Sequence, residues 1–196
     1  MSDEISAADF LKQLSADPEY KEMLKRKEAS RMAIVQENLN DAKSVICDLA
    51  KVGVRVQHIS DLTDSHSSYL AAVPVLIKHL VDVPHRPDVR EAVVRALCTP
   101  VAAGSATETL LGIFRSSESE KFKWVVANAI VATASEHFLP TILDLLNDNR
   151  HGKARGPLVG VAKYLDKQHA KALIYRSLKD DDIKADAQDV ARELQI

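Results

Sequence analysis

The apolar residues of this chain recur at helical spacing along most of its length. Asp17 and Pro18 have the residue types of a helix start, and no proline or glycine then appears before Gly53. Within this stretch the apolar positions alternate spacings of three and four, which is typical of one narrow seam on a long helix: Met32, Val35, Leu39, Ala42, Ile46 and Leu49. The pattern predicts a long helix over about residues 18–52.

From Tyr69 onward the pattern repeats with a period of about 33 residues. Each unit is predicted to be a pair of amphipathic helices, and one apolar residue marks the end of each first helix: Leu80, Phe114, Leu146 and Leu178. An aspartate follows two residues later in three of the units, as Asp82, Asp148 and Asp180, whereas the second unit has Ser116. The second helices are predicted to start near Val89, Phe122, Ala154 and Ile183.

A helix pair whose first helix ends Leu-x-Asp and whose second opens Val-Arg-x-x-Ala resembles the HEAT repeat, in a short form related to phycobilisome-lyase-type repeats. The segments 143–148 and 88–92 match best, and Lys123 replaces the arginine in the second unit. The resemblance implies an all-α fold, a right-handed α-α solenoid of about four HEAT-like helix pairs over residues 67–196. Residues 1–66 would form an N-terminal helical cap, with both parts in one compact domain.

The same resemblance implies a ladder of ion pairs between successive units. In such repeats the basic residue of each second helix pairs with the loop aspartate of its own or the neighbouring unit. The basic residues here are Arg90, Lys123, Arg155 and Lys184, and the available acids are Asp82, Asp148 and Asp180. Because exposed pairs of this kind stabilise by less than about 1 kcal/mol, the ladder would mainly fix how the units stack.

Composition supports an all-α class, and the near-balance of charges excludes a strong electrostatic field around the whole protein. The chain has 46% hydrophobic residues and 5% aromatic residues, with 6 glycines and 7 prolines, which favours helices over a β-sandwich. Lys+Arg 26 against Asp+Glu 28 gives a net charge of -2, so recruitment of nucleic acid or membrane would need a local patch. Neither a leader peptide nor a membrane span is predicted, and we expect a soluble cytoplasmic bacterial protein with both Cys47 and Cys98 in or near the core.

The second helices line the concave side of HEAT-like solenoids, so their solvent-facing positions are the candidate partner-binding residues. Trp124 is the only tryptophan and would be a rigid aromatic anchor, although an indole near a helix start can also fold back onto its neighbours. Asn128 would bond either a neighbouring loop or a ligand. The candidate binding residues are Glu91, Arg95, Trp124, Asn128, Gly156 and Gly160.

Catalytic and metal-binding motifs are not found in the sequence. The 7 histidines lack the spacing of a helical zinc site, and most fall in predicted connectors. Asp61, Asp64 and His66 could converge on a cation, but polar connectors carry such residues by default. We therefore expect no cofactor, no metal and no catalysis.

The function predicted from these features is that of a non-catalytic adaptor that binds a protein partner through its concave face. A toxin-neutralising, immunity-type protein would fit the same features. The alternative from another class is a nucleic-acid-binding, DNA-glycosylase-like protein with a basic rim formed by Arg90, Lys123, Arg150, Lys153 and Arg155.

Overall fold

The computed structural model describes residues 6–63 and 69–196, apart from the side chains at positions 9 and 10. All regular secondary structure in these ranges is helical, which confirms the predicted all-α class. No helix within the described ranges has the length and apolar character needed to cross a membrane.

The chain divides into two compact units, Met1–Asp41 and Ala42–Ile196. The first contains α1 (Ala7–Ala16) and the part of α2 (Pro18–Lys51) that extends to Asp41. The carboxylate of Asp17 accepts a hydrogen bond of 2.8 Å from the backbone N–H of Glu19, so the predicted cap at the start of α2 is confirmed. The predicted boundary between a cap and a repeat region at residues 66 and 67 stays a prediction.

The end of α2 lies in the second unit and follows the predicted seam. Ala42 and Leu49 are buried, and Ile46 packs against the core. The helix stops just before Gly53, whose φ of 83° is in the left-handed region that glycine adopts without strain. In the first unit, Met32 and Val35 of the same seam are exposed.

The second unit consists mainly of four helical pairs that follow the predicted repeat. In the first two pairs, α3 (Ala72–Val81) packs on α4 (Pro87–Leu97) and α5 (Thr107–Ser116) packs on α6 (Glu120–Ala132). In the last two, α7 (Leu139–Asn147) packs on a segment of 3₁₀ character (Asn149–Tyr164), and α8 (Lys167–Ser177) packs on α9 (Lys184–Glu193). Short 3₁₀ turns occur at Ile59–Leu62, Pro100–Ala102 and Glu136–Phe138.

The second elements of these pairs also contact one another in chain order. α4 packs on α6, α6 packs on the 149–164 segment, and that segment packs on α9. α6 is therefore covered on several sides, and its buried residues extend around most of the helix: Val125, Val126, Ala127, Ala129, Ile130 and Val131. The predicted markers Leu80, Phe114 and Leu146 are all buried in the core.

The 149–164 segment begins earlier than the sequence pattern indicates. We expected a helix start near Ala154, with Pro157 in its first turn, but the helical segment begins at Asn149 and Pro157 lies well inside it. The side chain of Asp148 accepts the backbone N–H of Arg150 at 3.1 Å and caps this start. Gly152 then breaks the regular geometry with a φ of 52°, so the turns on either side of it are separate helical pieces.

The expectation that both cysteines, Cys47 and Cys98, lie in or near the core is wrong, because both are exposed. Cys47 lies on the side of α2 away from the buried Val45 and Leu49, and Cys98 follows Leu97, the last residue of α4. Apolar neighbours in sequence do not place a residue on the buried face of a helix.

Candidate partner-binding surface

Trp124 projects from α6 into solvent. The hydroxyl of Ser119 accepts the backbone N–H of Phe122 at 3.3 Å and sets the start of the helix. With this register Val125 and Val126 point into the core, and the indole remains 43% exposed. Of the two placements that the sequence leaves open for this indole, the structure has the exposed one.

Asn128 lies one helical turn after Trp124 and satisfies its amide within the same helix. Its Nδ2 donates a hydrogen bond of 2.8 Å to the backbone carbonyl of Trp124. Among the described residues, this bond takes the place of the expected bond to a neighbouring loop. Asn128 instead forms the local contact that polar side chains often make with the preceding turn of a helix.

Glu91, Arg95 and Lys121 form an ion-pair cluster that connects α4 to α6. One carboxylate oxygen of Glu91 accepts hydrogen bonds from Nη2 and Nε of Arg95, at 2.8 Å and 3.1 Å. The other oxygen lies 3.5 Å from Nζ of Lys121, at the first turn of α6. Since Lys121 and Trp124 are three residues apart, they share one side of α6. The cluster and the indole thus belong to one surface.

A pocket of about 500 Å³ opens where α4 and α6 begin. Ile113 and Phe122 form its apolar part, and Glu91 and Lys121 are among its polar lining. The guanidinium of Arg90 lies over the ring of Phe122, 5.3 Å from the ring centroid. The volume lies within the range of sites that accept a small molecule or a large side chain.

The prediction that Gly156 and Gly160 face solvent on the binding surface is wrong for Gly156. Gly156 is buried, and a Cβ at this position would overlap the carboxylate of Asp186 on α9. Gly160 is half-buried, and a Cβ there would lie 3.1 Å from Cγ1 of Val131 on α6. Both glycines allow the 149–164 segment to approach its neighbours closely. This close approach explains why glycine stands at these positions although it lowers helix propensity.

The predicted ladder of ion pairs is confirmed at one step. Arg155 is 2% exposed, and its Nη2 lies 2.7 Å from Oδ2 of Asp180 in the neighbouring unit. Its Nη1 donates to the backbone carbonyl of Leu146 at 3.0 Å. Asp180 therefore pairs as the resemblance implies.

The ion pairs predicted for Arg90 and Lys123 are not formed among the residues that the structure describes. The guanidinium of Arg90 lies over the ring of Phe122, and the described residues show no ion pair between Arg90 and Asp82. Asp148 pairs with the exposed Arg150 at 2.6 Å, and Lys123 lies 3.4 Å from Nδ1 of His151. The hydrogen bonds from Arg150 hold the pKa of the Asp148 carboxyl far below its ordinary value.

The predicted basic rim for nucleic acid is interrupted at its centre. Arg155 is buried in its ion pair, so its guanidinium cannot reach a phosphate on the surface. Arg90 and Lys123 are half-buried against aromatic rings. Only Arg150 and Lys153 of the five predicted residues are exposed.

Of the three connector residues that could converge on a cation, only Asp61 lies within the described residues. The carboxylate of Asp61 accepts the backbone N–H groups of Gln57 and His58, each at 2.8 Å, and these bonds lower its pKa. Asp64 and His66 lie outside the described residues. Across the residues that are described, no group of three metal-ligating side chains could hold a metal ion.

One buried polar cluster was not predicted from the sequence. Asp48 at the end of α2, His79 in α3 and His85 in the turn before α4 form a chain of side-chain hydrogen bonds. Two histidines six residues apart, on either side of a helix end, are the only local signal of this arrangement. The aspartate comes from another helix, so the sequence pattern alone does not connect it to them.

No protein-family model matches this chain, and no curated protein or solved structure matches it. The resemblance to HEAT repeats therefore stays a prediction from the sequence. The functional argument depends on the geometry of the surface itself.

Proposed function

We propose that this protein is a non-catalytic binding module that engages a protein partner through the surface formed by Glu91, Arg95, Lys121, Trp124 and Asn128. The exposed indole of Trp124 is the observation that carries the proposal. Large aromatic side chains are costly to leave in water, and tryptophan dominates the binding energy of many interfaces. Asn128 lies one turn further along the same helix and bonds the backbone carbonyl of Trp124.

The neighbouring pocket supports the same proposal. It shares Glu91 and Lys121 with the surface, and it has an apolar part formed by Ile113 and Phe122. A partner that covers Trp124 could insert an aromatic or aliphatic side chain here, because anchors on one protein commonly fill pockets beside anchors on the other. The ion pairs of Glu91 would then lie at the polar edge of the interface.

Charge favours a protein over a nucleic acid as the partner. The net charge of the chain is -2, and the predicted basic rim loses Arg155 to a buried ion pair. Nucleic-acid affinity arises largely from exposed cations that neutralise phosphates. The two remaining exposed cations of that rim are too few to form such a stripe.

We further propose that the four pairs stack as a right-handed HEAT-like solenoid with the surface on its concave side. The support is the successive packing of α4, α6, the 149–164 segment and α9, together with the repeat in the sequence. In that arrangement Arg95 and Trp124 would lie on adjacent second helices.

The test is the loss of partner binding when Trp124 is replaced by alanine. Trp124→Ala should weaken capture of the partner about 30-fold or more, the effect of removing an anchor worth about 2 kcal/mol. Far-UV circular dichroism should stay helical, because the indole is not part of the core. Tyr175→Ala is the matched control, since Tyr175 is an exposed aromatic residue on α8.

With a purified partner, the single tryptophan also provides a direct signal. Its fluorescence emission should shift to shorter wavelength on binding, because the partner would remove water from the indole. A titration with the Glu91→Ala variant, which retains Trp124, should show weaker binding. Equal binding by Trp124→Ala and Tyr175→Ala would refute the proposed surface.

A further inference from the structure

Arg90 is a charged side chain that has no hydrogen-bond acceptor within the described residues. Its Nε is buried without a partner, whereas its two Nη groups are not buried and are open to solvent. Arg155 provides the contrast, because its Nε is also buried without a partner but its Nη groups donate to Leu146 and Asp180. The half-buried guanidinium of Arg90 can therefore still bind a ligand that supplies the missing acceptors.

The ring of Phe122 fixes the position of this guanidinium. The guanidinium carbon lies 5.3 Å from the ring centroid, in the arrangement of a cation over an aromatic face. Phe122 lies in the first turn of α6, where its backbone N–H donates to the hydroxyl of Ser119 at 3.3 Å. Because an arginine keeps its charge in proteins, Arg90 presents a fixed, positively charged set of donors to the pocket that it lines.

Glu91, which lines the same pocket, is already paired with other cations. One of its carboxylate oxygens accepts hydrogen bonds from Arg95, and the other lies 3.5 Å from Nζ of Lys121. Both oxygens are thus occupied, and no ion pair joins Glu91 to Arg90 among the described residues. The positive charge of Arg90 is left for a ligand.

Three further ionisable side chains in the lining limit the charge that a ligand can carry. Asp88 and Glu118 are exposed, so water screens their charges. His85 is buried, and its Nε2 lies 2.9 Å from Nδ1 of His79. Together with Glu91, the lining has three carboxylates. They would repel a phosphate group, with about two negative charges, more strongly than a carboxylate group with one.

The apolar part of the pocket limits the rest of the ligand. Ile113 and Phe122 form this part, and the pocket volume of about 500 Å³ leaves room for more than a carboxylate group. The ring of Phe122 also lies against Arg90, so the charged donors and the apolar wall are adjacent. A carboxylate attached to an apolar body, such as an aromatic ring, would satisfy the guanidinium and cover the apolar wall at the same time.

We propose that the pocket where α4 and α6 begin binds a carboxylate attached to an apolar body, with Arg90 as the group that pairs with the carboxylate. The site goes beyond the proposed protein interface and does not rest on it, because Trp124 is not among the described residues that line the pocket. The ligand oxygens supply the acceptors that Arg90 lacks, and Ile113 and Phe122 contact the apolar body.

The experiment is a titration of the full chain with phenylacetate, followed by NMR of the backbone amides. Phenylacetate should bind about tenfold more tightly than phenylacetamide, which has the same shape but no charge, because hydrogen bonds to charged groups are the stronger ones. It should also bind more tightly than inorganic phosphate. Tighter binding of phenethylamine or phosphate than of phenylacetate would overturn the proposal, since Arg90 and the apolar wall would then not select the ligand.

The decisive variant is Arg90→Gln, which should weaken phenylacetate binding about tenfold or more because it removes the charged donors. Arg115→Gln is the matched control, since Arg115 is exposed and lies outside the lining of the pocket. Its affinity should stay within about twofold of wild type, because solvent screens an exposed charge. Equal affinities of Arg90→Gln and wild type would overturn the proposal. The titration needs no protein partner, so its failure would leave the proposed interface at Trp124 standing.

A carboxylate with an apolar body occurs both in small free acids and at the C-terminal residue of a peptide. The peptide acetyl-Gly-Gly-Phe with a free C-terminus distinguishes these sources. Tighter binding of the peptide than of phenylacetate would identify a chain end as the ligand, and weaker binding would identify a free acid. If neither compound binds, the proposal is wrong.

If Arg90→Gln does not fold, the wild-type spectra decide. Phenylacetate should shift the amide signals of residues 116–122, which include most of the pocket lining, and leave those of α9 unchanged. Shifts of equal size in both regions, or no shifts at all, would overturn the proposal.

Discussion

At the scale of single residues, Gly156 shows how one missing side chain sets the distance between two elements. The Asp186 carboxylate occupies the space that a Cβ at position 156 would need. This close approach buries part of the carboxyl group, and burial raises the pKa of Asp186 above its ordinary value. A side chain at position 156 would therefore displace the Asp186 carboxylate from its place against the 149–164 segment.

Gly156→Ala should destabilise the protein because the new Cβ would force Asp186 or the backbone to move. Overpacking of this kind costs about 1–3 kcal/mol, measured as the free energy of unfolding in urea. Gly112→Ala is the matched control, because a Cβ at position 112 of α5 meets nothing within 4 Å. That variant should gain about 0.5–1 kcal/mol from helix propensity.

A double variant separates the clash from other effects of the alanine. In the background of Asp186→Ala the obstructing carboxylate is gone, so Gly156→Ala should cost much less than in the wild-type chain. If the cost is the same in both backgrounds, Asp186 is not the cause.

At the scale of elements, Arg155 joins three parts of the second unit. It lies in the 149–164 segment, donates to the end of α7 through Leu146, and pairs with Asp180 in the turn between α8 and α9. A guanidinium can make these bonds together because its donors point in several fixed directions. Arg150, only five residues earlier, pairs with Asp148 but is 88% exposed.

Arg155→Ala should lower the free energy of unfolding by about 2 kcal/mol or more, because it removes charged hydrogen bonds that are shielded from water. Arg150→Ala should change it far less, since solvent screens an exposed pair. Thermal and urea unfolding of the two variants provide the comparison. Similar losses would contradict the assignment of Arg155 as the connection between these elements.

At the scale of the whole molecule, the stability of the fold should depend on pH through His151. This ring packs edge-on against Phe114, with the ring centroids 4.8 Å apart, and its Nδ1 lies 3.4 Å from Lys123. Burial, and then the charge of Lys123, lower the pKa of His151 below that of an ordinary histidine. The folded protein therefore keeps this ring neutral at a pH where the unfolded chain charges it.

The sign of the effect follows from proton linkage. Below about pH 6.5 the unfolded state binds the proton more readily, so the free energy of unfolding should fall as pH decreases toward the lowered pKa of His151. His151→Gln should flatten this decline between pH 7 and pH 5.5 in urea unfolding. A decline as steep in His151→Gln as in wild type would show that other groups cause it.

The helices could largely be predicted from the sequence, and the contacts of the candidate surface only in part. The start of α2 at Pro18 and the burial of the markers Leu80 and Phe114 agree with the spacing of apolar residues. That spacing left open whether Trp124 is exposed or packed. Such spacing is local, since residues three and four apart share a helix face whatever the helix packs against. The 3₁₀ character of the 149–164 segment was not predicted, because Pro157 and Gly152 each fit several backbone geometries.

The sequence by itself determined the all-α class, the succession of helical pairs and the burial of the apolar residues that mark the ends of the first three first helices. The tertiary structure alone decided that Arg155 pairs with Asp180 while Arg90 stacks on Phe122, that Gly156 faces Asp186, and that Asp48 reaches His79. Helix formation depends on neighbours within one or two turns, which the sequence displays directly. Contacts between side chains distant in the chain depend on how the helices pack, and a shift of a few ångströms exchanges one partner for another.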